Sequence, residues 1–400
     1  MPALSRRTQR FPVSPVRRLT PLADEAKRAG KKVYHLNIGQ PDIHTPRGFF
    51  LDLDHAPEVL AYNPSQGTLA TRQALCAYYA RHGIALDPDQ VAITLGGSEA
   101  ITMALLLTCN PGDELIVPEP FYANYRSFAL IAGVTLVPVA CSPERGFHLP
   151  ERAHISAQIT SKTKAILFCS PGNPTGVVYG RGEMERLRDV ALEHGLYLIS
   201  DEVYREFVYD GLEHVSLFEL EGVEECGILV DSISKRFSAC GARLGCLASR
   251  NPEVNLAAIK YAQARLSPPA LSELGLIQLL NAPDYEAQVR SIVARFAARR
   301  EVLFAGLKGI PGVTCSKPEG AFYVVAKLPV EDSQAFASWL LSDFDQDGET
   351  LMLAPASGFY LTPGLGRDEV RIAYVLNRVA LKRALEVLRA GLKAYACRAT

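Results

Sequence analysis

No apolar run in the chain reaches the length needed to cross a membrane, and no secretory-type apolar segment precedes the first structured stretch. The sequence therefore predicts a cytoplasmic protein with no membrane partner. Excess charge is missing too. The 42 lysines and arginines face 43 aspartates and glutamates, a net charge of -1. Proteins that hold nucleic acid by neutralising phosphates carry a basic excess, so no nucleic-acid partner is expected. The one local imbalance is N-terminal, where Arg6, Arg7, Arg10, Arg17, Arg18, Lys27, Arg28, Lys31 and Lys32 face only Asp24 and Glu25. Acidic residues and prolines interrupt this stretch, and it reads as an arm followed by a solvated helix face. Paired-cysteine motifs are absent. The nine cysteines are scattered, with no C-x-x-C, and Cys109, Cys169 and Cys246 lie in or beside apolar runs as buried thiols do. That usage fits a reducing compartment and predicts no metal site. Internal repeats and low-complexity segments are also lacking, which excludes a repeat array.

What is present is an ordinary globular composition, 48% hydrophobic and 21% charged, in 400 residues, enough for two domains. Short apolar runs recur at 91–96, 114–120, 135–140, 165–171, 196–204, 227–235 and 243–249. They are continuous rather than alternating, as strands buried on both faces are. Helix-like stretches such as 181–195 lie between several of them. The alternation predicts a mainly parallel sheet covered by helices on both sides, with functional groups gathered at the strand C-terminal ends. Residues 284–310 read as one long helix, followed by strand-like 321–328, 351–357 and 370–375, a helix-like 333–344 and a final helix to about 396. That change of order predicts a second, smaller α+β part.

The polar residues at those strand ends match one cofactor. Lys235 ends the run GILVDSISK and offers an amine for a Schiff base. Asp201 ends LYLISD, where a buried carboxylate needs a cationic partner such as a pyridinium. Tyr204 follows three residues later and can reach a phenolic oxygen. Asn173 is held between two turn-forming pairs in SPGNPTG and can donate to that same oxygen. Gly96, Gly97 and Ser98 open an apolar helix whose free N–H groups suit a phosphate, with Ser232, Ser234 and Arg243 as further donors. Tyr122, after another strand end, offers a ring to stack. Arg371 sits inside the apolar run VRIAYV, which is costly unless a carboxylate meets it, and the bend at 37–42 can bring Gly39 beside that carboxylate. These are the requirements of pyridoxal 5′-phosphate chemistry. Each residue also has a plain structural reading: Asp201 as a helix cap, Asn173 as part of a tight turn, Tyr122 as a packed ring, Arg371 as a salt-bridge partner.

In order along the chain, NIGQPD, AYNPSQGTLATR, GGSEA, PEPFYANY, SPGNPTG, SDEVY, SISK with GAR, KPEGAFY and VRIAYV cover about residues 30 to 390. Together they resemble the class I/II aminotransferases, the aspartate aminotransferase superfamily. The resemblance implies the α/β fold of PLP-dependent transferases of fold type I, with a mainly parallel seven-stranded sheet in a large domain, 46–285. The small α+β domain would join 1–45 with 286–400. It implies that Lys235 is the Schiff-base lysine and general acid–base, and that Asp201 pairs with the pyridine nitrogen. Asn173 and Tyr204 would bind O3′, Tyr122 would stack on the ring, and Gly97, Ser98, Ser232, Ser234 and Arg243 would surround the phosphate. Arg371, helped by Asn173 and Gly39, would bind the α-carboxylate. Tyr62 matches a tyrosine that reaches the neighbouring subunit's phosphate, which implies a homodimer with shared sites. The implied activity is ping-pong transfer of an amino group from an L-amino acid to a 2-oxo acid through aldimine and ketimine states.

One position departs from the pattern. Some aspartate-specific relatives carry a lysine where this chain has Ser98, and the sequence shows no second basic residue to hold a side-chain carboxylate. A carbon–sulfur β-lyase on the same scaffold is the nearest alternative; it would release ammonia without needing an oxo acid. A non-catalytic PLP-sensing domain is a further alternative. The residues before 37 are too few for an attached winged helix.

Overall fold

The computed structural model describes residues 2–50 and 58–398. Its strands are β1 (Lys32–His35), β2 (Val91–Thr94), β3 (Glu114–Glu119), β4 (Thr135–Ala140), β5 (Thr163–Cys169), β6 (Tyr197–Asp201), β7 (Gly227–Ser232), β8 (Gly245–Ser249), β9 (Tyr323–Lys327), β10 (Glu349–Met352), β11 (Ala354–Pro355) and β12 (Glu369–Ala373). Its helices are α1 (Thr20–Arg28), α2 (Leu69–Ala80), α3 (Gly97–Thr108), α4 (Tyr125–Ala132), α5 (Arg152–Ser156), α6 (Arg181–His194), α7 (Ile233–Arg236), α8 (Pro252–Arg265), α9 (Ala270–Leu280), α10 (Tyr285–Lys308), α11 (Ser333–Ser342) and α12 (Arg378–Ala396).

Seven strands form one sheet in the order β2-β8-β7-β6-β5-β3-β4. From β7 to β4 all pairings are parallel, and β8 alone runs against its neighbours β7 and β2. The mainly parallel sheet expected from the continuous apolar runs, with the seven strands that the family resemblance implies, is therefore present. Alternate side chains explain those runs. Ile116, Ile166 and Phe168 enter a core with α2, α6 and α9, while Leu115, Val117 and Leu167 enter a second core with α3, α4 and α8 on the other face.

Two predicted strands end early. The run 196–204 leaves the sheet after Asp201, and 227–235 leaves it after Ser232, whose hydroxyl accepts from the Ser234 N–H at 3.3 Å and starts the short helix α7. Tyr204 thus stands on a turn, and Lys235 on α7, above the sheet edge.

The remaining strands pair as β1 with β10 and as β11-β12-β9. The predicted strand 351–357 is split between β10 and β11. A third core gathers Leu19, Ala23, Tyr34 and Leu36 with side chains of α10, α11, α12, β9 and β12. Tyr204, Phe207 and Tyr209, which follow β6, plug into it; Phe207 meets Phe296 and Phe322 edge-on at 5.4 and 5.3 Å.

Candidate active site

All C-terminal ends of β2, β3, β5, β6 and β7 lie on one edge of the large sheet, because those strands point the same way. The antiparallel β8 starts at that same edge. A Cβ on Gly245 would lie 2.5 Å from the Asp231 carbonyl oxygen and 2.9 Å from the Gly97 nitrogen. Only glycine permits this approach, which carries the preceding Arg243 against the start of α3. Gly96, at φ +78°, has the same role from the other side: a Cβ there would meet the Arg243 guanidinium at 2.7 Å.

The edge opens into a cavity of about 540 Å³ facing β12 and the segment around Gly39. Every candidate residue named from the sequence lines it except Gly96, which lies behind Arg243, and Tyr62. Tyr62 is 81% exposed and contributes nothing to the cavity of its own chain.

Lys235 Nζ donates to the Gly39 carbonyl at 2.9 Å. Burial pulls its amine below the usual lysine range, and Arg371 and Arg243 lower it further. The Asp201 carboxyl is buried with few partners, the Tyr125 hydroxyl at 2.7 Å and a long contact from the Val203 N–H at 3.4 Å. Burial therefore raises it to about 6, against bonds that pull it down. A buried carboxylate so poorly compensated is the partner a protonated ring nitrogen needs.

Arg371, on β12, is 2% exposed, and among the described residues no carboxylate pairs with it. Its guanidinium donates to Asn173 Oδ1 at 3.1 Å and to the Asn37 carbonyl, while Nε has no partner among the described residues. The Tyr323 and Phe359 rings flank it at 4.7 and 5.0 Å. A buried cation held this way is set to receive an anion. With Asn173 Oδ1 engaged by Arg371, the amide nitrogen remains to donate elsewhere.

Tyr204 Oη lies 2.8 Å from Tyr323 Oη. Tyr122 accepts from Asn124 Nδ2 at 2.9 Å and meets Tyr125 edge-on at 5.6 Å, which fixes its ring plane. Ser232 Oγ and Ser234 Oγ are 2.9 Å apart beside the N-terminus of α3. Arg243 reaches across this cradle to the Leu95 and Cys240 carbonyls at 3.3 and 3.0 Å.

The sequence reading missed four contributors. Tyr125 shares the PEPFYANY segment with Tyr122, and its backbone N–H bonds the Tyr122 carbonyl at 2.9 Å, so the turn that places one ring places the other. Tyr323 closes the KPEGAFY segment. Asn37 acts on Arg371 through its main chain, which no residue type announces. Arg17, taken as part of a solvated basic arm, lines the cavity. A second basic side chain is therefore present after all.

The donor set fits pyridoxal 5′-phosphate: a poorly compensated buried carboxylate, a depressed lysine amine, and a helix N-terminus flanked by two serines and an arginine.

Comparison with known proteins agrees. Residues 31–388 match the family model "Aminotransferase class I and II". The aspartate/prephenate aminotransferase of Thermus thermophilus is 31% identical over 397 residues, covering 96% of this chain and 98% of that protein. A Bacillus aspartate aminotransferase is 28% identical, covering 96% of this chain and 97% of its own. Among solved structures, the Thermus thermophilus aspartate aminotransferase with maleate superposes with a TM-score of 0.87 at 30% identity, over 98% of this chain and all of that one. An alanine aminotransferase from Pyrococcus furiosus superposes at 0.88 with 27% identity, over 98% of this chain and 100% of that one. The chain belongs to the class I and II aminotransferases, the PLP-dependent enzymes of fold type I that its motifs resemble.

Proposed function

We propose that this aminotransferase takes its amino group from a dicarboxylic L-amino acid, aspartate or glutamate, and works as a cytoplasmic homodimer with shared sites. The observation that carries the amino-acid reading is the buried guanidinium of Arg371, which no carboxylate among the described residues meets, at the wall of a cavity that also holds Lys235 and Asp201. Relatives named for aspartate support the choice of donor.

Pyridoxal phosphate, when bound, supplies an aldehyde for the amino group and a ring that accepts the electron pair left on the substrate α-carbon. The N–H groups at the start of α3, the hydroxyls of Ser98, Ser232 and Ser234, and Arg243 would hold its phosphate. The Tyr122 ring would cover one face, and Asp201 would keep the ring nitrogen protonated. Asn173 Nδ2 and the Tyr204 hydroxyl would donate to O3′. Arg371, steadied by Asn173, Asn37 and the two flanking rings, binds the α-carboxylate and so fixes which bond of the α-carbon faces the base. Lys235 Nζ takes the proton from that carbon; burial and the nearby Arg371 and Arg243 disfavour its charged form, which suits an amine that must accept a proton.

Tyr62 supports the shared sites: exposed, it stands near the exposed Val59 and Leu60 and is free to enter a partner's cavity. The nine scattered cysteines suit a reducing compartment. The third core, which unites residues up to Ile43 with those from Ile292 onward and is plugged by Tyr204, Phe207 and Tyr209, supports a division into 46–285 and 1–45 with 286–400.

A neutral donor is the second reading. Ser98 puts an uncharged side chain on the cavity, and the Pyrococcus neighbour is an alanine aminotransferase. Single-turnover mixing of the PLP-loaded protein with each amino acid, followed by absorbance, separates the two. Fastest conversion by aspartate or glutamate supports the proposal, and fastest conversion by alanine or aromatic amino acids overturns it. Ammonia release without an oxo acid would replace transamination by β-elimination. Sedimentation of the wild type and Tyr62→Ala tests the dimer and its contribution to the neighbouring site.

A further inference from the structure

We propose that Arg17 is the cavity's second anion anchor, holding the side-chain carboxylate of the donor while Arg371 holds its α-carboxylate. The inference rests on the dicarboxylic reading above and assigns it a residue.

The cavity is lined by four cationic side chains, Arg17, Lys235, Arg243 and Arg371, against one carboxylate, Asp201. Three of the four have tasks: Lys235 in the chemistry, Arg243 beside the phosphate cradle, Arg371 at the α-carboxylate. Arg17 has none. Among the described residues its guanidinium makes no hydrogen bond or ion pair, and the side chain is exposed to solvent. Its main chain, by contrast, is tied down. Pro15 packs on Gly358 so closely that a Cβ there would lie 2.4 Å from the proline Cβ. Val16 packs beside Ala354, Ala356 and Phe359, and its carbonyl accepts from Asn37 Nδ2 at 2.7 Å.

Asn37 thereby joins both arginines. Its side chain holds the residue before Arg17, and its carbonyl accepts from Arg371. The ring of Tyr122 lies in the field of both. Burial and Asp201 push its hydroxyl up, and Arg371 and Arg17 both pull the other way. A fixed backbone carrying a free guanidinium, coupled through one asparagine to the α-carboxylate arginine, is the geometry for gripping a ligand with an anion at each end. It also accounts for Ser98, since the second charge is supplied from the N-terminal arm instead.

The test compares succinate with butyrate, which has the same carbon count but one carboxylate, by calorimetry on the PLP-loaded protein. The wild type is expected to bind succinate at least about tenfold more tightly. Arg17→Gln should erase that margin, and Arg17→Lys should keep part of it. In single-turnover half reactions, the aspartate-to-alanine rate ratio should fall about 10- to 100-fold in Arg17→Gln, mainly through weaker aspartate binding. Arg18→Gln, next in the chain but off the cavity, should change neither readout. The proposal is overturned by a wild type without a succinate preference, by an unchanged Arg17→Gln, or by an equal loss in Arg18→Gln. Loss of the succinate margin in Arg17→Gln, in a protein that converts alanine faster than aspartate, would support Arg17 as an anion anchor and defeat the dicarboxylic donor; fastest conversion of aspartate with an unchanged Arg17→Gln would do the reverse.

Discussion

Asp201 and Glu202 are consecutive, both buried, and their carboxyls are displaced in opposite directions, to about 6 and to about 2. Burial raises both. For Glu202 it is outweighed by His214 at 3.0 Å, by Arg205 at 3.8 Å, and by bonds from the Ser216 hydroxyl and the Leu217 N–H. Asp201, at the strand end, has among the described residues only Tyr125 and a weak contact from Val203. The fold satisfies the first acid internally and leaves the second open toward the cavity.

Replacing Asp201 by Asn should therefore stabilise the cofactor-free protein. The carboxyl titrates near 3.8 when unfolded and about 6 when folded, so between those values the folded protein holds a proton that the unfolded chain releases. Its contribution to stability falls as pH rises through that window. Asp201→Asn should gain about 3 kcal/mol at pH 8, shrinking toward pH 4, in urea unfolding of the apoprotein. The loaded variant should lose at least about 100-fold in turnover, because the ring nitrogen has lost its counter-ion.

Glu202→Gln should do the opposite. Its carboxyl is depressed from 4.5 to about 2, so the stability it contributes is complete above pH 4.5 and is lost as pH falls through about 2. Removing the charge leaves Arg205 and His214 facing a neutral amide in a buried site, at a cost of about 3 kcal/mol at pH 7. Urea unfolding at neutral and acidic pH checks this: the deficit should narrow on acidification.

Lys235→Ala should leave a pocket that still binds the cofactor, since the phosphate cradle and Asp201 are untouched. Turnover should fall by about 10⁴-fold or more without added amine. Absorbance titration with pyridoxal phosphate and a multiple-turnover assay are the two measurements. Sustained turnover would remove Lys235 from its role.

Gly39→Ala should damage the site while sparing the fold. The new Cβ would lie 1.7 Å from Tyr323 Oη, which is bonded to Tyr204, and the Gly39 carbonyl is the one Lys235 binds. Displacing Tyr323 also disturbs one ring beside Arg371. A fall in kcat/KM of about 10- to 100-fold and a loss of about 1–3 kcal/mol are expected. Gly48→Ala, where nothing among the described residues lies within 4 Å, is the neutral control.

Much of this was legible before folding because the chemistry sits at strand ends. A continuous apolar run marks a strand buried on both faces, and in a parallel sheet the residues that follow such runs meet on one edge. Asp201, Asn173, Lys235 and Tyr122 could be named on that logic, and Arg371 because an arginine inside an apolar run needs an anion. Tyr125 carried a detectable signal, standing one turn from Tyr122. Arg17 carried none, being one of several basic residues in an arm.

By itself the sequence determined the sheet, the lysine, the acid and the turn glycines, since each depends on residue type and on neighbours a few positions away. Tertiary structure alone decided who partners whom. Arg371 meets Asn173 across 198 residues of chain and Asn37 across 334, and Lys235 meets Gly39 across 196. Pairings of that span depend on how β12 and the segment around Gly39 pack over the sheet edge, and local periodicity records nothing of that packing. Arg17 reaches the cavity for the same reason: the packing of Pro15 on Gly358 and the Asn37 bond to Val16 turn an arm that reads as solvated into part of the wall.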